Sequence, residues 1–320
     1  ASLSFVGIND HFNLKGLRAG KEGWRDGVAV LIGTELNEDA NHYLAYDVQE
    51  EIASDTANPQ AVIDAVNAQG GFGFIAHPYE LGSPLHDGGH TFNWTRWDVN
   101  DYTGISIWNF SSIWKGNARN YLQGLYYFYN IRAANLDPLP DALAKWDELL
   151  RARKVVAVGA SDNHGMKVKA LFGLVRGRIF DYEYAFRAVN THILLKEEMP
   201  QDFSAARQLI YGALRQGACF VACGLFQDPG GFRFFAETKK GIANMGEDVT
   251  LADEPAVVVK APARALIRFF QSGRIVKEET GLASSLRLAS PGPCRVELHL
   301  PRAFDKTRAW IYSNPIYVAS

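Results

Sequence analysis

Four short hydrophobic runs, each ending in a side chain able to ligate a metal, constrain this chain more than any other feature. They are Phe5-Val6-Gly7-Ile8-Asn9-Asp10-His11, Val30-Leu31-Ile32-Gly33-Thr34-Glu35, Phe72-Gly73-Phe74-Ile75-Ala76-His77-Pro78 and Val155-Val156-Ala157-Val158-Gly159-Ala160-Ser161-Asp162-Asn163-His164. Each apolar run is short and continuous rather than alternating, the pattern of a strand in a parallel sheet covered on both faces. In α/β barrels the C-terminal ends of the strands converge on one rim, and chemistry sits there. His11, Glu35, His77, Asp162 and His164 are therefore expected to meet in space although they are far apart in sequence. Imidazole and carboxylate together suit Zn, Mn or Fe.

The chain has 320 residues, enough for a barrel-sized domain and a smaller one. A formal net charge of −2 gives no bulk attraction to nucleic acid or to an anionic membrane. No apolar run is long enough to span a bilayer as a helix. No basic-then-apolar segment opens the chain; a removed leader would leave no trace, so the compartment, cytoplasmic, periplasmic or secreted, stays open. Cys219, Cys223 and Cys294 form no CxxC pair and read as small buried hydrophobes, not as a disulfide or a zinc-cysteine site.

Strand and helix signals alternate through the first half. Strands are expected at 3–8, 28–37, 42–48, around His77, at 104–109 and before Asp162. Asn58 and Pro59 open a helix that Gly70-Gly71 closes. Further helices are expected at about 116–133, with Tyr126-Tyr127-Phe128-Tyr129 as a buried face, at 140–151 and at 203–216. The alternation argues for parallel strands with crossover helices. Beyond Gln227-Asp228-Pro229-Gly230-Gly231 only short strands follow, which read as a small β-sandwich. The expected organisation is an α/β domain over 1–225 and an all-β domain over 226–320.

Each candidate ligand also has a plainer reading. Asn9-Asp10-His11 can be an Asx turn with a surface histidine, Ala76-His77-Pro78 a strand exit stopped by proline, and Ser161-Asp162-Asn163-His164 a cap for the next segment. Their joint occurrence favours a site. Glu35 ends a buried run, where an unpaired carboxylate is costly. His42, on the next strand, can face the same point. Asp162 and His164, two apart in an extended segment, point to one side. His86 and His90, in the glycine-rich loop after His77, are candidates for a substrate-contacting lid or a plain surface loop. Trp94, Trp97, Trp108 and Trp114 can line a pocket, with core packing as the default. Lys115, Lys167 and Lys169 can offset substrate charge or simply face solvent. His192 and His299 read as structural.

These motifs resemble the PHP superfamily (polymerase and histidinol phosphatase domain), metal-dependent hydrolases with a distorted (β/α)7 barrel. Asn9-Asp10-His11 is similar to its TDH motif, Gly33-Thr34-Glu35 to G-x-E, His42-Tyr43-Leu44 to the following G-H-x-L strand, Ala76-His77-Pro78 to AHP and Ser161-Asp162-Asn163-His164-Gly165 to SDxHG. The resemblance spans roughly 3–225. Gly104–Asn109, Trp146–Leu150 and Trp310–Tyr317 look like the branch holding the CehA/McbA-type carbamate and ester hydrolases. The resemblance implies two or three divalent metal ions, Zn or Mn first and Fe next. In that pattern Glu35 bridges two metals, Asp162 completes the first, His42 and His77 bind the second, and His11 and His164 bind a third. Asp10 orients a ligand. Glu35, Asp162 and His164 carry the catalysis.

The family's H-x-H pair, expected just upstream of Asp10, is missing: none of the eight histidines lies two residues from another. A precursor that begins some tens of residues earlier accounts for this, and so does a natural variant with a degraded first site. Either way a barrel lacking its first strand exposes a sheet edge, which favours pairing with another chain, so a homo-oligomer is a candidate. Two functions follow. One is a hydrolase that activates water on a metal to cleave a phosphoester, carbamate, ester or amide bond of a small molecule. The other is a non-catalytic binding protein whose β-sandwich takes a ligand.

Overall fold

The computed structural model describes residues 3–165, 167–170, 175–178, 180–302 and 306–320. The hydrophobic runs form a seven-stranded sheet: β1 (Phe5–His11), β2 (Gly23–Arg25), β3 (Val28–Leu36), β4 (Tyr43–Tyr46), β5 (Phe72–Ile75), β6 (Gly104–Asn109) and β7 (Val156–Ala160). Its order is β1-β3-β4-β5-β6-β7, with β2 antiparallel on β3. β1 runs parallel to β3, and β5, β6 and β7 run parallel to one another. β4 is antiparallel to both its neighbours, where the sequence suggested parallel strands throughout. The cause is the connection. Residues 37–42 are too few for a crossover, so the chain must turn back on itself. Asn37 and Asn41 take left-handed backbone angles, φ 73° and 57°, and the Asn37 amide donates to the Asn41 carbonyl at 2.7 Å.

The helices are α1 (Lys15–Arg18), α2 (Pro59–Ala68), α3 (Phe110–Asn117), α4 (Tyr121–Tyr129), α5 (Pro140–Leu150), α6 (Tyr182–Ala188) and α7 (Phe203–Gln216). α2 opens on Pro59 as expected, but Asn58 makes no side-chain cap; its own N–H donates to Asp55 instead. The single helix expected over 116–133 is two. Asn109 and Asn120 each accept an N–H two or three residues into the following helix and so start it afresh. The Tyr126–Tyr129 stretch is not a buried face. Tyr126 and Tyr129 are 55% and 68% exposed and α4 buries no residue; it touches α3 and, through Phe128, Gly177. No helix among the described residues is long and apolar enough to cross a membrane.

The second sheet has ten strands: β10 (Val189–Ile193), β11 (Cys219–Cys223), β12 (Arg233–Thr238), β13 (Gly241–Asn244), β14 (Asp248–Thr250), β15 (Ala256–Gln271), β16 (Arg274–Arg287), β17 (Gly292–Pro301), β18 (Thr307–Ser313) and β19 (Ile316–Ala319). β8 (Lys167–Ala170) and β9 (Val175–Arg178) form a separate hairpin; the side chains of Lys167 and Lys169 lie outside the described residues. Hydrogen bonds join the ten strands into one largely antiparallel sheet. Where only short strands were expected, β15 is one long strand. Its register shifts between Lys260 and Ala265, where Pro262 has no N–H to offer the ladder. β10 and β11 lie before residue 226 and belong to this sheet, so the sheet reaches back into the segment assigned to the first domain.

The two sheets are tied along the outer edge of β7. The Thr191 hydroxyl bonds both N–H and C=O of Gly159 at 2.9 Å, and the Asn314 amide bonds N–H and C=O of Ala157 at 2.8 and 2.9 Å. Side chains thus stand in for a neighbouring strand and satisfy the edge. The other end of the sheet has no such cover: β1 pairs with β3 alone among the described residues. The sheet is therefore a curled half-barrel. A trough of about 1080 Å³ runs between β1 and the β7–β10 side, open to the rim.

A second tie is ionic. Arg295 of β17, 2% exposed, forks onto both oxygens of Asp147 of α5 at 2.8 and 2.7 Å and onto Glu297 at 2.7 Å, between the rings of Trp146 and Phe270. Removing one member of such a buried set leaves an uncompensated charge. Arg295→Met should therefore lower the unfolding free energy by about 3–5 kcal/mol. Urea denaturation of the two proteins checks this, and a loss within error of zero would contradict it.

Candidate metal centre

The ligand-type residues meet where the strands end. β1 and β3 are in register so that His11 faces Glu35. The β3–β4 reversal delivers His42 just before β4, and Ala76 N–H donates to the His42 carbonyl, setting it beside the exit of β5. His77 follows β5, and Asp162 and His164 follow β7. At two of these exits the backbone is left-handed: His77 has φ 22° although a proline follows it, and Asp162 has φ 49°. Both are sparsely populated for such residues and cluster here at the site. Gly33 is needed for a different reason. A Cβ there would run into the Ala45 carbonyl and the Asn9 side chain, so β3 and β4 could not approach closely enough around Glu35.

Glu35 is the hub. It is 6% exposed; Oε1 lies 2.8 Å from His42 Nδ1 and 3.3 Å from His77 Nε2, and Oε2 lies 3.9 Å from His11 Nε2. Burial alone would raise its pKa, but the hydrogen bonds and charges of His42 and His77 outweigh it and hold the carboxyl well below the usual range. His77 shows the converse: burial disfavours its charge, yet Glu35, Asp162 and Glu80 raise it to about 9. Asp162 is raised, chiefly by burial; its Oδ2 accepts from the Asn109 amide at 3.1 Å.

Glu35, His42 and His77 offer ligand atoms that all lie within 4.8 Å of one another. His42 supplies the test of fit. Its Nε2 lies 2.9 Å from the Glu38 carbonyl, which can only accept, so Nε2 carries the hydrogen. A neutral His42 then turns the Nδ1 lone pair against the Glu35 oxygen. Either a second proton or a cation must resolve two acceptors facing each other, and a divalent ion held by both does so. The donor set fits such an ion.

His11 and His164 form a second, outer pair. Their Nε2 atoms are 3.1 Å apart, the rings stack, and the side chains are 36% and 51% exposed. His164 Nδ1 lies 3.6 Å from Asp162 Oδ1. Asp10 is exposed on the trough edge; its backbone pairs with Thr34 in the β1–β3 ladder, and its carbonyl accepts the Thr34 hydroxyl at 3.1 Å. His86 sits half-buried in a turn against Ser83, and exposed His90 lies 3.1 Å from the Asp39 carbonyl. His90 does reach the site through rings, packing on Phe92, which packs on His42. Trp94, Trp108 and Trp114 are core, and Trp97 stacks on Tyr79 away from the trough. His192 stacks on Phe220, and His299 lies against Glu297.

Two residues escaped the sequence reading. Asn109 ends β6, caps α3 and holds Asp162. Glu80 is buried three residues beyond His77 and pairs with Lys115 at 3.5 Å. The signal for each was position alone: a polar residue closing an apolar strand, and an acid one short step past a candidate ligand.

No known protein family matches the chain, and no curated protein matches it. Among solved structures, the chain is similar to a two-domain protein from Bacteroides vulgatus ATCC 8482, described as containing a predicted PHP-like metal-dependent phosphoesterase. The identity is 12% and the TM-score 0.42, over 99% of this chain and 87% of that one. A likeness of that degree says nothing of activity.

The Glu35–His77 pair sets a pH dependence for the metal-free chain. The raised His77 contributes stability that is full below its ordinary 6.5 and is lost as pH rises through about 9. The lowered Glu35 contributes stability that is full above its ordinary 4.5 and is lost as pH falls. The pair therefore stabilises most between these two ordinary values. Chelated protein should lose thermal stability from pH 6.5 to 9, and His77→Gln should flatten that slope. Parallel melting curves of the two proteins across the window would contradict the assignment.

Proposed function

We propose that this chain is a metal-dependent hydrolase that cleaves a phosphoester or a carbamate, ester or amide bond of a small molecule. The observation that carries the reading is the buried Glu35 with imidazoles turned on both its oxygens, His42 among them with no neutral arrangement that satisfies it. The motif resemblance of residues 3–225 to the PHP superfamily supports the same reading.

Glu35, His42 and His77 would hold one cation in the buried half of the site. Glu35 Oε2, His11, His164 and Asp162 would serve the outer half. A divalent ion bound there lowers the pKa of water and polarises a substrate oxygen. The protein's own part is to keep Glu35 ionised, to hold His42 through Glu38 and to hold Asp162 through Asn109. The leaving group would take its proton from a rim histidine or from water. The CehA/McbA-like motifs favour a carbamate or ester over a phosphate ester. Zn or Mn is the favoured ion, then Fe.

Elemental analysis of protein purified without chelator tests the reading, beside His77→Ala and His164→Ala. Near-stoichiometric Zn, Mn or Fe that falls in His77→Ala is the expected result. Aryl phosphate, phosphodiester, carbamate and carboxylic ester substrates then identify the bond. Glu35→Gln should cut turnover by about 100-fold or more, since the ion contributes several kcal/mol to the transition state. A well-folded chain that binds no metal would reject the hydrolase and leave a binding protein.

A further inference from the structure

Glu80 is 8% exposed and collects donors from α3 and from the 81–93 loop. Oε1 accepts the Ser112 hydroxyl of α3. Oε2 accepts the Phe92 N–H at 3.0 Å and the Lys115 ammonium at 3.5 Å. Burial opposes its charge, but His77, Lys115, Ser112 and Phe92 together hold the carboxyl below the usual range. Glu80 N–H also donates to the Asn93 side chain at 2.6 Å, so one residue pins the far end of the 81–93 loop twice.

His77 has one unsolved nitrogen. Nε2 faces Glu35, while Nδ1 is buried and has no hydrogen-bond partner. Glu80 Oε1 stands 3.8 Å from it. A shift of under about 1 Å closes that gap to hydrogen-bond length. A proton on Nδ1, shared with Glu80, leaves the Nε2 lone pair aimed at Glu35 and at whatever cation sits between them. Carboxylates that hold the far nitrogen of a ligating histidine in this way fix its tautomer and ring angle.

We propose that Glu80 is a positioning residue for the metal centre: it holds His77 Nδ1–H, and through Phe92 N–H it seats the Phe92 ring on His42. The ring centroids of Phe92 and His42 are 4.9 Å apart, so the same carboxylate serves both imidazoles of the buried half-site. The inference rests on the metal-centre reading above.

The test is a competition titration of the full chain with Zn(II), together with nitrogen-15 histidine spectra of the Zn(II)-loaded protein. Glu80→Gln keeps the side chain's size but removes the charge and leaves one acceptor oxygen in place of two, so it cannot accept from both the Phe92 N–H and His77 Nδ1–H. It should weaken Zn(II) binding by about 10- to 100-fold and displace the protonated Nδ1 signal of His77. Lys115→Met, which leaves Glu80 facing His77, should keep that signal. Glu80→Asp retains charge but withdraws it by one methylene, and should also weaken Zn(II) if the glutamine variant fails to fold. Wild-type affinity and an unchanged His77 signal in a folded Glu80 variant, even one with a lower melting temperature, would reduce Glu80 to a loop clamp and overturn the proposal. A folded wild type that binds no Zn(II) would instead overturn the metal-centre reading, and this inference with it.

Discussion

A carboxylate buried at the end of a strand is the constraint around which this rim is organised. Glu35 cannot be left unpaired at 6% exposure, since desolvating an ion costs far more than one ordinary contact returns. The chain brings imidazoles to it from three directions. The β3–β4 reversal supplies His42, the bent exit of β5 supplies His77, and the in-register pairing of β1 supplies His11. Gly33 allows the strands to close around it, and the absence of a Cβ there is a packing requirement of the site.

The second sheet is part of this arrangement and not an appendage. β7 carries Asp162 and His164, and what would be its neighbouring strand is replaced by the side chains of Thr191 and Asn314. The Arg295–Asp147 fork fastens β17 to the helix that leads into β7. The β7 side of the rim is thus held by the all-β segment. Among the described residues β1 pairs with β3 alone, and Tyr46 of β4 reaches it through a hydroxyl donated to Asn9 at 2.7 Å. The two halves of the site differ accordingly: Glu35, His42 and His77 are buried and close, whereas His11 and His164 are exposed and touch each other across the trough.

The fold was legible in the sequence where hydrophobic runs and punctuation agree. β6 at Gly104–Asn109 and α7 at Phe203–Gln216 fall where the pattern put them, because each is bounded by glycine or by a change of period. The direction of β4 was not legible from its own residues; it follows from the length of the preceding loop. The length of β15 was not legible, because Pro262 interrupts its ladder and the strand continues past it through pairing with β16, β12 and β17. Likewise α4 looked buried because it is aromatic, yet Tyr126 and Tyr129 face outward and none of its residues is buried. In the site, residues that end apolar runs could be found, since the run marks them. Glu80 and Asn109 act through their neighbours, and that action depends on contacts with α3 and the 81–93 loop that no local spacing encodes.

Backbone strain shows how the ligands are held. A left-handed His77 before a proline and a left-handed Asp162 each cost on the order of 1–3 kcal/mol, and such angles persist only where the surroundings over-determine them. They are over-determined here. On one side Ala76 N–H donates to His42 and Trp94 N–H to the Pro78 carbonyl, fixing the chain immediately before and after His77. On the other, the Ser161 carbonyl accepts both the N–H and the hydroxyl of Ser111, and Asn109 holds the Asp162 carboxylate. The bonds that bracket each bend come from neighbouring segments, the His42 and Trp94 stretches on one side and the start of α3 on the other, so a ligand can leave its strand at an unfavourable angle without the strand moving. The rim thereby directs side chains from separate elements toward one point near Glu35: the bonds on the backbone fix each bend, and contacts such as Asn109 on Asp162 and Glu38 on His42 fix the side chains.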